Sequence, residues 1–235
     1  MAVVVSGSKK IKLMKSHWRK LLSLLPTSLE KKFYNNFFLE EHREWERKGR
    51  PLPVSNLSKQ NLLREFQKKY HVKTLVETGT YLGDTLYSLA TDFERLYSVE
   101  LSEHYHKLAK RRFKNFPHVS LLQGDSGVVL KDLVPKLDAP AIFWLDGHYS
   151  GGLTAKGEQE CPVFEELKSI FSSPFQHFIF IDDARLFIGK NDYPTISELR
   201  AFVRIGKPDY NFIVENDCIR LLPIATKIST ISSFQ

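Results

Sequence analysis

The stretch at residues 75–85, LVETGTYLGDT, decides how the rest of the chain is read. An apolar run meets an acid, Glu77. Two glycines follow four apart, Gly79 and Gly83, and Asp84-Thr85 opens a helix-like segment. A strand that ends in glycines and turns into a helix leaves backbone N–H groups and the positive end of a helix at the sheet edge. In an α/β protein that is where a nucleotide-like ligand is held. The spacing is not G-x-G-x-x-G, and alone it reads equally as the tight βα turn any α/β protein needs. Glu77 says more. An acid at the end of a buried strand is costly without a positive or hydrogen-bonding partner, and it would repel a pyrophosphate. A cationic or amine-bearing ligand suits it better.

Downstream, apolar runs alternate with helical patterns. Strands are expected at 74–76, 96–99, 119–122, 141–145 and 178–181, and helices at 84–90, 103–113, 127–133, 162–171 and 196–203. Two last apolar runs, 211–214 and 218–222, flank Glu215-Asn216-Asp217. Asn and Asp accept the positive φ of a tight hairpin, so this pair should be antiparallel. Five βα units and a hairpin predict an α/β fold: a doubly wound, mostly parallel, seven-stranded Rossmann-like sheet with a C-terminal antiparallel hairpin.

Upstream lies a helical N-terminal extension. Residues 1–72 carry 16 Lys+Arg against 6 Asp+Glu, a net of +10, while residues 73–235 carry a net of −3 within the total of +7. The basicity therefore belongs to the arm, and a nucleic-acid-binding domain is not expected. Residues 1–10 read as disordered. Ile11, Met14, Trp18, Leu21, Leu22 and Leu25 form one helical stripe ringed by lysines and Arg19,. Such a helix can lie on an anionic membrane surface or, the blander reading, pack on its own domain or on a second subunit. Further helices are expected at 29–48 and 58–70, so the arm can also act as a lid. The division is thus 1–72 arm or lid, 73–222 core domain, and 223–235 a Ser/Thr-rich flexible tail. No run of about 18 apolar residues occurs. The first residues place apolar side chains before lysines, the reverse of a secretory signal. Cys161 and Cys218 are the only cysteines; they suit a reducing, cytoplasmic compartment and form no zinc pattern.

Acids recur at strand ends. Glu100 follows the second strand, 17 residues after Gly83, where an acid can accept from ribose hydroxyls or simply face solvent. Asp125-Ser126 follows the third; Asp125 can accept from an adenine amino group or cap the next helix. Asp146 ends the fourth strand and Asp182-Asp183 the fifth. Adjacent strand ends lie about 5 Å apart, and three close carboxylates repel one another unless a cation sits among them. Hard oxygen ligands favour Mg²⁺, with Mn²⁺ or Ca²⁺ as alternatives. The blander reading has Asp182 capping the following segment and Asp183 pairing with Arg185.

With these residues in place, residues 74–222 resemble the class I S-adenosylmethionine (SAM)-dependent methyltransferases. The resemblance implies that Glu77, Gly79, Thr80 and Gly83 hold the methionine part of SAM, Glu100 the ribose, and Asp125 with Ser126 the adenine. The acids after the fourth and fifth strands resemble the metal-dependent O-methyltransferase branch that includes catechol-type and natural-product sugar enzymes. There Asp146, Asp182 and Asp183 would bind the metal. His148, two residues past Asp146, would take the acceptor hydroxyl's proton, although an acid or lysine is the more usual base. The Gly-rich loop 149–161, with Lys156 and Glu158, can cover substrate or equally be a solvated flexible loop. The expected activity is metal-assisted methyl transfer from SAM to an oxygen of a sugar or other small polyhydroxylated acceptor. Two rivals stand beside it: hydrolytic or nucleotidyl chemistry at the three aspartates, which Glu77 disfavours, and a partner- or membrane-docking protein with a vestigial pocket. A homo-oligomer is compatible with either reading of the arm.

Overall fold

A computed structural model describes residues 27–147 and 161–224. In chain order the elements are α1 (Thr27–Arg47), α2 (Asn56–Tyr70), β1 (Thr74–Thr78), α3 (Asp84–Leu89), β2 (Arg95–Glu100), α4 (Glu103–Arg112), β3 (Val119–Gln123), α5 (Ser126–Leu133), β4 (Ala141–Leu145), α6 (Val163–Phe171), β5 (Phe178–Ile181), α7 (Ile196–Gly206), β6 (Tyr210–Glu215) and β7 (Cys218–Pro223). The seven strands form one sheet in the order β3-β2-β1-β4-β5-β7-β6. The first five are parallel, and β7 runs antiparallel to both β5 and β6. The expected architecture is therefore the observed one.

Side-chain parity explains the two layers. Along β4, Ala141, Phe143 and Leu145 enter one core with Leu130, Val163, Leu167 and Leu199 from α5, α6 and α7. Ile142 and Trp144 point to the other face, with Leu63, Phe66, Leu86 and Ala109 from α2, α3 and α4. A strand buried on both faces reads as a continuous apolar run, as AIFWL does,. The described part of the arm belongs to this second layer, since Tyr34 and Phe38 of α1 are buried in the same cluster. Arg112 fastens it. Its guanidinium lies 4.6 Å from the ring of Tyr34 and 4.5 Å from that of Tyr87, and it bonds Asp84 at 2.9 Å and the Leu82 carbonyl. None of the described helices is long and apolar enough to cross a membrane. The helix expected at 11–25, with its membrane reading, and the tail from residue 225 lie outside the described residues.

One difference from the expected strands and one consequence of the expected topology matter for the site. Strand β1 does not stop at Val76 but runs through Glu77 and Thr78, all five positions being buried and paired on both sides. The acid is thus held inside the ladder, opposite Ser98 and Trp144. The strand order also reverses beside β1, where the chain leaves β3-β2-β1 and continues as β4-β5. That switch point opens a crevice at the C-terminal strand ends. At the far edge, Asn216 (φ 50°) and Asp217 (φ 58°) make the left-handed pair of a tight hairpin turn,.

Candidate active site

The turn after β1 is built by close approach. A Cβ on Gly79, whose φ is +84°, would lie 2.3 Å from the carbonyl oxygen of Asp146. Only glycine lets the β1 and β4 ends meet this closely. Thr78 secures the contact: its hydroxyl accepts from the Asp146 and Gly147 N–H groups at 3.2 Å each. The ends of β1 and β4, which carry the two halves of the candidate site, therefore share one backbone junction.

In the first half, Glu77 accepts a 2.6 Å hydrogen bond from Ser98, whose hydroxyl is 2.6 Å from that of Thr80. Burial pushes Glu77 up to about 8; the Ser98 bond opposes this, and the nearby Glu100 and Asp84 charges add to it,. Among the described residues no cationic side chain is its partner. Glu100, also buried, accepts from the Tyr81 and Ser102 N–H groups at 2.7 and 2.8 Å. Those bonds fix the turn against β2 and leave lone pairs on both oxygens for further donors. Asp125 accepts from Gly127 N–H at 2.8 Å and caps α5, while Ser126 beside it is buried. The capping reading is thus present, and it leaves the second carboxylate oxygen for another donor. A buried carboxylate next to a glycine turn, with no cationic side chain on it among the described residues, is a group that a ligand bringing its own ammonium would satisfy.

In the second half, the cation expected among Asp146, Asp182 and Asp183 is a side chain. Lys59 of α2 reaches in from the arm. Its Nζ bonds the buried Asp182 and lies 3.9 Å from Asp183 Oδ1. Burial would lower the lysine, but Asp182, Asp146 and Asp183 outweigh it and hold the ammonium above the usual lysine value. Burial pushes Asp182 up to about 6, with Lys59 opposing and Asp183 reinforcing. Asp146 is held well above the carboxylate range by burial, then by Asp182, with Lys59 opposing and Asp183 and Glu77 adding. The other oxygen of Asp182 accepts from Asp183 N–H at 2.8 Å. Asp183, at φ 55°, accepts from Arg185 at 2.8 Å, and Arg185 also bonds Asp217 of the hairpin turn. A divalent ion bound by these three acids would have to displace Lys59. Among the described residues no group of His, Cys, Asp and Glu is arranged to hold a metal ion. The arrangement therefore does not fit the expected Mg²⁺ as it stands. His148 and the loop residues Lys156 and Glu158 lie outside the described residues.

Lys59 also lines a cavity of about 650 Å³ between the arm and the sheet edge, walled by Trp45, Ser58, Trp144, Asp182 and Arg220 among others. Sequence reasoning missed Lys59 among several basic residues of α2, yet the signal was there. Lys59, Leu63, Phe66 and Tyr70 follow one helical stripe, so the lysine continues the apolar face,. Glu166 was missed too. Fully buried on α6, it is pushed up to about 7 by burial, with the Ser126 and Thr78 hydroxyls opposing, though neither makes a hydrogen bond of normal geometry to it.

No family model matches the chain, and no curated protein matches it. Solved structures do. An O-methyltransferase from Bacillus cereus in complex with SAH aligns with TM-score 0.54 at 14% identity, covering 79% of this chain and 90% of that one. The O-methyltransferase TomG from Streptomyces achromogenes, involved in tomaymycin synthesis and in complex with SAM, aligns at 0.52 and 16%, covering 79% and 89%. The SAH-bound methyltransferase PaMTH1 from Podospora anserina aligns at 0.52 and 15%, covering 95% and 99%. With its switch point beside β1, its antiparallel β7 and these neighbours, the chain has the fold of the class I SAM-dependent methyltransferases.

Proposed function

We propose that the protein is a SAM-dependent O-methyltransferase acting on a small acceptor. One observation carries the reading: the backbone junction of Gly79 against Asp146 joins the β1 end, where buried Glu77 has no cationic partner among the described residues, to the β4 end, whose Trp144 lines a cavity with Lys59 and Asp182. The solved neighbours that hold SAM or SAH support it. When bound, SAM supplies a sulfonium-activated methyl group. Glu77 would hold its ammonium, with Gly79, Thr80 and Gly83 giving it backbone clearance. Glu100 would accept from ribose hydroxyls, and Asp125 with Ser126 would face the adenine.

The acceptor would enter the cavity between α1, α2 and the β6–β7 turn. Its walls mix indole rings with hydroxyl, amide and charged groups. That mixture suits a polyhydroxylated molecule such as a saccharide, whose apolar face can lie on an aromatic ring while its hydroxyls bond the polar groups. Proximity would supply much of the rate, because one rigid junction sets the distance between the two halves. His148, two residues past Asp146, is the proposed base for the acceptor hydroxyl.

Isothermal titration of the purified chain with SAH tests the reading. Saturable binding with one site per chain is expected. Absence of heat at millimolar SAH, with the chain folded by circular dichroism, would sink it.

A further inference from the structure

We propose that Lys59 is the resident cation of the carboxylate cluster and stands in the place a divalent metal would take, so the protein binds no such metal there. The inference starts from contacts. Lys59 Nζ bonds Asp182 directly and is 3.9 Å from Asp183 Oδ1. A second cation, Arg185, holds Asp183 at 2.8 Å and also bonds Asp217. The remaining Asp182 oxygen is engaged by Asp183 N–H at 2.8 Å. A Mg²⁺ or Mn²⁺ ion wants about six oxygen ligands in near-octahedral order. Here both oxygens of Asp182 and Oδ1 of Asp183 already serve two side-chain cations and a backbone amide.

The lysine is built in, not draped over the site. Its side chain is only 17% exposed, and one and two turns on in α2 the same face carries buried Leu63 and Phe66. The helix is anchored at the near end: Ser55 caps it, and Ser55 is itself held by His42 of α1 at 2.8 Å. Removing the ammonium would leave Asp146, Asp182 and Asp183 facing one another without that neutralising charge, which is the situation that recruits a metal. An ammonium has three donors. With one on Asp182, the others are available at the cavity wall to orient an acceptor oxygen and to stabilise negative charge that develops on it. That last role rests on the methyltransferase reading; the statement about the ion does not.

The test uses the full chain, Lys59→Met and Lys59→Arg. Thermal unfolding is followed with MgCl₂, MnCl₂ or CaCl₂ against NaCl of equal ionic strength, and Mn²⁺ uptake by the loss of its free electron-spin-resonance signal. Wild type and Lys59→Arg should show no ion-specific shift and leave the Mn²⁺ signal unchanged. Lys59→Met should take up Mn²⁺ and gain about 5–10 °C in Tm when the ion is ~100 times its dissociation constant. Mn²⁺ uptake by wild type overturns the proposal, and so does a folded Lys59→Met that takes up none. If Lys59→Met does not fold, the wild-type spin-resonance measurement still decides. SAH titration in EDTA keeps the two ideas apart. SAH binding unaffected by EDTA is expected, whereas its complete absence would remove the methyltransferase reading and leave the ion result standing.

Discussion

The two halves of the site treat charge in opposite ways. Around Glu77 the chain gathers acids, with Glu100 and Asp84 nearby, and among the described residues the hydrogen-bond partner of Glu77 is a hydroxyl, that of Ser98. Around Asp182 it gathers a comparable set of acids and threads a lysine among them. A buried carboxylate without a cation is unfavourable in the free protein and improves when a cationic ligand arrives. A buried carboxylate already paired offers a second cation little. The first half therefore has the electrostatics of a binding site for a cation-bearing ligand. The second has those of a finished constellation that can act on a neutral one.

The largest effect should come from breaking the junction that joins the halves. Gly79→Ala puts a Cβ 2.3 Å from Asp146 O at φ +84°. It should destabilise the protein by about 2–4 kcal/mol and weaken SAH binding ~100-fold or more, measured by urea unfolding and calorimetry. Normal SAH affinity would mean that the junction does not shape the ligand site.

A paired substitution sharpens the contrast. Asp182→Asn deprives Lys59 of its partner and should cost about 2–3 kcal/mol at pH 7, less than a fully buried pair because the site borders a cavity. Glu77→Gln should do the reverse. The Glu77 carboxyl stands at about 8 in the folded chain against an ordinary 4.5. The folded state then keeps a proton that the unfolded state releases between those values. Its contribution is fully present below 4.5 and is lost as pH rises through 8, at no more than about 1.4 kcal/mol per pH unit. Glu77→Gln should remove this slope, leave the free protein more stable than wild type at pH 8, and weaken SAH binding ~10-fold or more. Unfolding free energies from pH 5 to 8 measure both. Destabilisation by both substitutions at pH 8 would erase the distinction between the halves.

The smallest effect concerns Asp125. Serine retains helix-capping ability, so Asp125→Ser should change stability by no more than about 0.5 kcal/mol. If Asp125 accepts from the adenine as proposed, the substitution should weaken SAH binding ~5-fold. Unchanged affinity would reduce Asp125 to a cap.

What the sequence made legible follows this division. The β1 turn, the strand-end acids and the Asn216-Asp217 hairpin are local: each is a residue type at a fixed offset from an apolar run. The sheet followed from them because βα units leave few topologies open. The partner that completes the acid cluster is not local. Lys59 precedes the first strand and looks like one more lysine on a basic helix; only its place on the stripe of Leu63 and Phe66 sets it apart. Thr78 escaped notice for another reason: the expected strand stopped two residues short, and a threonine inside a ladder carries no motif. Metal chemistry was inferred from three acids and from their resemblance to a metal-dependent branch, because repulsion demands a cation without saying which.

Lys59 and Asp182 are separated by 123 residues. Such a contact is non-local, and its formation bears the entropy of closing a long loop. During synthesis the lysine emerges long before the acid it meets. Glu77, Glu100 and Asp125 lie on or just after the first three strands. Docking of α2 on the finished sheet is thus the step that closes the acid cluster.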